Sequence, residues 1–95
     1  MNADRVVQIE HRLRHVFTPE YVEVRDDSAQ HIGHSGARDG RGHFQVLVVT
    51  ADFRGQSLLA RHRLVYGALA DLMQTDIHAL TIKALTPDEW DSTAP

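Results

Sequence analysis

Two short apolar runs, His43 to Thr50 and Ile77 to Leu85, are separated by a connection whose residues repeat at helical rather than strand spacing. Antiparallel neighbours are joined by a few turn residues, whereas parallel neighbours need a long crossover that usually contains a helix. The second run is therefore expected to lie parallel to the first, reached by a right-handed crossover. Within the connection, Leu58, His62, Val65, Leu69 and Leu72 recur at steps of three and four, which places them on one helical face. Arg61 and Arg63 fall roughly 100° to either side of His62 and are expected to reach water at the flanks of that stripe. Gly55 permits a left-handed turn and Ser57 supplies an N-cap, so the segment reads as strand, turn and helix. His62 reads first as a buried imidazole satisfied by hydrogen bonding, ahead of any metal or catalytic role.

The rest of the chain is read around this unit. Residues 4–17 place Val6, Ile9, Leu13, Val16 and Phe17 on one helical face, with Asn2 or Asp4 as cap and Thr18-Pro19 as stop. His11 and His15 stand four apart, a spacing that can grip a metal, yet no third ligand lies nearby and a solvated pair is the simpler reading. Tyr21 to Asp26 alternates as a half-buried strand, with Val22 and Val24 inward. Residues 27–42 then carry four glycines, His31 and His34 with hardly an apolar anchor, and are expected to form a mobile loop and the place to look for a ligand. In the central run, Phe44, Val46 and Val48 face one way and Leu47 and Val49 the other; in the last, Leu80, Ile82 and Ala84 share a face with His78. Thr86-Pro87-Asp88-Glu89 has the form of a capping box with proline at the first helical position, and Trp90 is expected to pack the final turn onto the domain. The order helix, strand, strand, helix, strand, short helix describes an α+β two-layer sandwich: one domain over residues 1–95, a three-stranded mixed sheet and helices on one face.

Size and composition exclude several functions. A chain of 95 residues buries roughly 60 to 65% of its unfolded surface, leaving no room for a deep substrate cavity. Net charge is −3, against the basic surplus expected of a nonspecific nucleic-acid binder. The absence of cysteine removes disulfides, thiol nucleophiles and any cluster held by this chain's own thiolates. Seven histidines are left as the borderline donors available to a metal. No apolar run is long enough to span a bilayer and the first residues lack a signal-peptide core, so a cytoplasmic location, bacterial rather than organellar, is the expectation. Ser28 with His31 or His34 has neither a strained elbow nor a third orienting group, so an enzyme is not expected.

Taken together, D-D-S-A-Q-H-I-G-H (26–34), G-H-F-Q-V-L-V-V-T (42–50), F-R-G-Q-S-L-L-A-R-H-R-L-V-Y-G-A-L (53–69), I-H-A-L (77–80) and T-P-D-E-W (86–90) resemble the BolA family over nearly the whole chain. The resemblance implies a fold similar to the class II KH domain, although no G-x-x-G clamp for RNA stands between the helices. It further implies a monothiol glutaredoxin as partner, in a heterodimer sharing a [2Fe-2S] cluster. The isolated protein would be a monomer without cofactor. Histidine can replace cysteine on one iron of such a cluster. By the family's pattern His78, in the I-H-A motif, is one ligand; the second comes from the loop, where His31 is preferred, His34 follows closely and His43 is a distant third. The remaining positions fall to a partner cysteine and a glutathione thiol. Some bacterial members are described as transcriptional regulators of cell shape and stress, so the alternative is DNA binding through the helix-turn-helix-like segment 53–73, with Arg54, Arg61 and Arg63 on phosphates.

Overall fold

The computed structural model describes residues 2–28 and 41–93. Its elements follow the order α1 (Asn2–Val16), β1 (Tyr21–Asp26), β2 (Gly42–Val49), a 3-10 turn (Ala51–Phe53), α2 (Leu58–Ala68), α3 (Ala70–Thr75), β3 (Ile77–Leu85) and α4 (Pro87–Thr93). The sheet has the order β1-β2-β3, with β1 antiparallel and β3 parallel to the central β2. The last strand thus lies parallel to the central one, as the long helical connection requires, and the α+β architecture with a three-stranded mixed sheet is the observed one. No helix among the described residues is long and apolar enough to cross a membrane.

The alternation of β2 sends Phe44, Val46 and Val48 into the core, where they meet Ile9, Leu13 and Phe17 of the first helical segment, Val65 of α2, Leu72 of α3 and Leu69 at the junction between them. Phe17 and Phe53 meet edge to face at 5.3 Å between centroids, which fastens the end of α1 to the turn after β2. Two details differ from the periodicity reading. Val16 is 54% exposed, because Phe17, held by its amide donating to Leu13 O at 3.0 Å, fills the position at the core instead. Asn2 already belongs to α1 and so lies inside the helix rather than capping it. Two ion pairs tie α1 to α3 and its C-cap: Arg5 to Asp76 at 3.2 Å and Arg12 to Asp71 at 2.6 Å.

Gly55 adopts φ 75°, the left-handed turn expected, and Ser57 accepts from the Ala60 amide at 3.1 Å to cap α2. The buried face of α2 is rotated from the one the apolar spacing gives. Leu58 is 66% exposed and His62 only half-buried, while Arg61 is 8% exposed and lines up with Val65 and Leu69 at steps of four. At Leu69 the backbone leaves helical geometry (φ −109°, ψ 15°), which divides the helical region into α2 and α3. At the C-terminus the capping box forms as read: the Thr86 amide donates to Glu89 Oε1 at 2.8 Å and the Glu89 amide to Thr86 Oγ1 at 3.2 Å. Trp90 stacks on Tyr21 at 5.3 Å and 12°, so α4 closes the end of the sheet next to β1.

Candidate functional site

The site begins with a fault in the β2–β3 ladder. Gly42 pairs with Ile77 but His43 pairs with Ala79, so one step along β2 spans two along β3 and His78 is the extra residue. An inserted residue of this kind is left out of the ladder and its side chain is re-aimed. Ile77 is fully buried in the core and Leu80 onward resumes the inward alternation, whereas His78 is exposed. His78 therefore does not share a face with Leu80, Ile82 and Ala84, as strict alternation has it. It stands on an edge strand, where a second protein can reach it.

The roots of the loop between β1 and β2 are fastened beside this bulge. The Gly42 amide donates to Asp76 O at 2.9 Å, one residue before β3 begins. The Asp27 amide donates to His43 O at 2.8 Å, and the His43 amide to Ser28 Oγ at 3.1 Å. Arg41 Nη1 donates to Met73 O at 3.4 Å, and the Gln45 side-chain amide donates to the Asp27 carboxylate. Gly42 is required here for space: a Cβ would lie 2.5 Å from Ser28 Oγ and 2.8 Å from the Phe44 ring. Both ends of the loop that bears His31 and His34 are thus held at the end of the sheet that carries His78. His31 and His34 themselves lie outside the described residues. His43 is half-buried, with Nε2 3.4 Å from Thr81 Oγ1. Among the described residues no group of three or more acidic or histidine side chains converges to hold a metal ion.

With no cysteine, the nitrogen donors this chain could offer an iron–sulfur cluster are imidazoles, and among the described residues His78 is an exposed one.

The arginines are distributed differently from the expectation. Arg61 does not reach water at the flank of α2: it is buried because it has a ready-made set of acceptors. Its Nε donates to Gln56 O at 2.9 Å, its Nη1 to Ala84 O at 3.0 Å, and its two terminal nitrogens to Glu89 at 2.6 and 3.3 Å. Its guanidinium also lies 6.0 Å from the Phe53 ring centre. These bonds, with that from the Thr86 amide, hold the Glu89 carboxyl at about 2, against an ordinary 4.5. Arg54 and Arg63 are exposed, and Arg54 stands 3.8 Å from Asp88. On the uncovered face of the sheet, Arg25, Gln45, Thr81 and Lys83 border a shallow depression of about 350 Å³.

This α+β layer arrangement coincides with that of a known family. The model for BolA-like proteins matches residues 13–89, and the chain belongs to that family. It is 41% identical over 92 residues to SufE-like protein 1 of Arabidopsis thaliana, covering 92% of this chain and 25% of that protein. To the protein named DNA-binding transcriptional regulator BolA in Escherichia coli it is 38% identical over 84 residues, 88% of this chain and 77% of the relative. The solved BolA domain of SufE1 from Arabidopsis thaliana superposes with a TM-score of 0.79 at 40% identity, covering 90% of this chain and 94% of that domain. The chain spans about a quarter of the first of these proteins, so the activity of the longer protein does not transfer with the match.

Proposed function

We propose that this protein is an accessory factor that binds a monothiol glutaredoxin and shares a [2Fe-2S] cluster with it, in cluster trafficking or in iron and redox regulation. The observation that supports this reading best is the exposed His78, lifted out of an edge strand beside the anchored loop. A cluster bound there would supply iron sites able to accept imidazole nitrogen and to change redox state. This chain's part is to present the imidazoles and to keep a cysteine-free, non-competing surface around them. The family's motif favours His31 as the second ligand, with His34 close behind. His31 holds the D-S-x-x-H position of the family's pattern and His34 the following G-H. A site completed by a partner need not be assembled beforehand.

The test is a titration of the protein into glutathione-loaded, cluster-bridged glutaredoxin, followed by visible circular dichroism. A new spectrum saturating at equimolar ratio, absent with His78→Ala and weakened with His31→Ala more than with His34→Ala, is expected. A spectrum unchanged by the wild-type protein would refute the reading.

DNA binding is a second reading, favoured by the name of the Escherichia coli relative and by the exposure of Arg54 and Arg63. With Arg61 engaged by Glu89, two cations remain of the three expected on phosphate, in a chain of net charge −3. Its signature is an affinity that falls steeply with salt and weakens on Arg63→Ala.

A further inference from the structure

Away from the His78 site, α2 has more apolar surface than the core uses. Its inner stripe is complete with Arg61, Val65 and Ala68, yet it carries a second stripe on the side away from the core. Leu59, His62, Arg63 and Tyr66 stand at i, i+3, i+4 and i+7, the spacing of one helical face. Leu58 is 66% exposed, Leu59 60% and Tyr66 41%. Single exposed apolar residues are ordinary, but several large ones on one face of one helix mark an interaction surface. Its charge is of one sign. No Asp or Glu occurs from Phe53 to Ala70, whereas Arg54 and Arg63 are exposed and His62 is half-buried beside them. The acidic α4 already answers this charge at the N-terminal end, where Asp88 and Glu89 meet Arg54 and Arg61.

We propose that the outward face of α2, formed by Leu58, Leu59, His62, Arg63 and Tyr66, docks an acidic amphipathic helix of a partner protein. Leucine side chains on such a helix would cover Leu59 and Tyr66, and a carboxylate would meet Arg63. A nucleic-acid backbone matches the cations but leaves the leucines exposed, which is why a protein helix is the better occupant. The surface is separate from the His78 site. Arg61 bonds to Ala84 O, six residues along β3 from His78, so the surface begins about 20 Å from His78 along the strand, at the start of α2.

Fluorescence anisotropy with four labelled probes tests the proposal on the full chain. The probes are a helical peptide with leucine at i, i+3, i+4 and i+7 and glutamate elsewhere, the same peptide with lysine for glutamate, polyglutamate, and a DNA duplex. The acidic helix is expected to bind more tightly than each of the others. Arg63→Glu and the double substitution Leu59→Ser with Tyr66→Ser should each weaken it by about tenfold or more. All three positions are exposed, and unchanged circular dichroism and melting temperature verify that these variants fold. His78→Ala should bind the peptide as the wild type does, which separates this surface from the proposed cluster site. Equal affinity for the acidic and basic helices, no binding of the acidic helix, or indifference to the α2 substitutions would overturn the proposal. Tighter binding of the duplex, lost in Arg63→Glu, would assign the face to nucleic acid instead.

Discussion

Arg61 is a cation whose acceptors come from three separated parts of the chain: Gln56, Ala84 and Glu89. Removing it leaves the buried Ala84 carbonyl without a donor and opens space beside Phe53, so Arg61→Ala should lower stability by about 1–3 kcal/mol in urea unfolding, with little change in slope. A loss below the error of that measurement would show the buried network to be dispensable. The same pair carries a pH dependence. Because the folded Glu89 carboxyl is depressed to about 2 from 4.5, its contribution is fully present above pH 4.5 and is lost as pH falls toward 2. Acid unfolding of Glu89→Gln should accordingly lack that part of the slope seen in the wild type. None of this is visible in the periodicity. Counting apolar residues assigns Leu58 and His62 to the inner face, and an arginine at a core position is recognised only when its partner is known. Glu89 is 28 residues away and, from spacing, is only the closing residue of a capping box. The usable signal is the step of four from Arg61 to Val65 to Leu69.

At the scale of elements, the turns and caps are legible because each depends on one residue type at one place. Gly55 is needed for its backbone alone, since φ is 75° and a methyl group added there would meet no atom within 4 Å. Gly55→Ala should therefore destabilise by about 1 kcal/mol while leaving the native spectrum intact. Gly42 is needed for space, and Gly42→Ala should be worse, by about 1–3 kcal/mol, because Ser28 or the Phe44 ring must move. Its heteronuclear NMR spectrum should change at Ser28, His43 and Phe44; shifts confined to Gly42 itself would contradict the packing described. The bulge at His78 is not legible. Strict alternation joins His78 to Leu80, Ile82 and Ala84, and a single inserted residue reverses the face of whatever lies beyond it. What sets the bulge is Ile77 entering the core directly after the end of α3 while Gly42 pairs with it, a constraint that exists only once the strands are placed.

For the molecule as a whole, connection length carries the topology. The helical crossover requires a parallel β2–β3 pair, and the short apolar strands require helices above them. The site is legible by another route. From spacing alone His78 is an ordinary strand histidine, and only the succession of motifs along the chain singles it out. The fold adds that it stands exposed at a bulge, beside both roots of the histidine-bearing loop. His78 is exposed, and an interaction at an exposed position contributes at most about 1 kcal/mol, so His78→Ala should unfold within about that of the wild type while losing the proposed partner-dependent function. A destabilisation well beyond that would make His78 a structural residue. The proposed function stands or falls with an imidazole of this chain binding iron within the complex. Pulsed electron paramagnetic resonance on the reduced glutaredoxin complex, with this protein alone carrying 15N-histidine, reads that contact directly. A strong 15N coupling that disappears in His78→Ala is the expected result; a cluster spectrum without 15N coupling from this chain would rule the contact out.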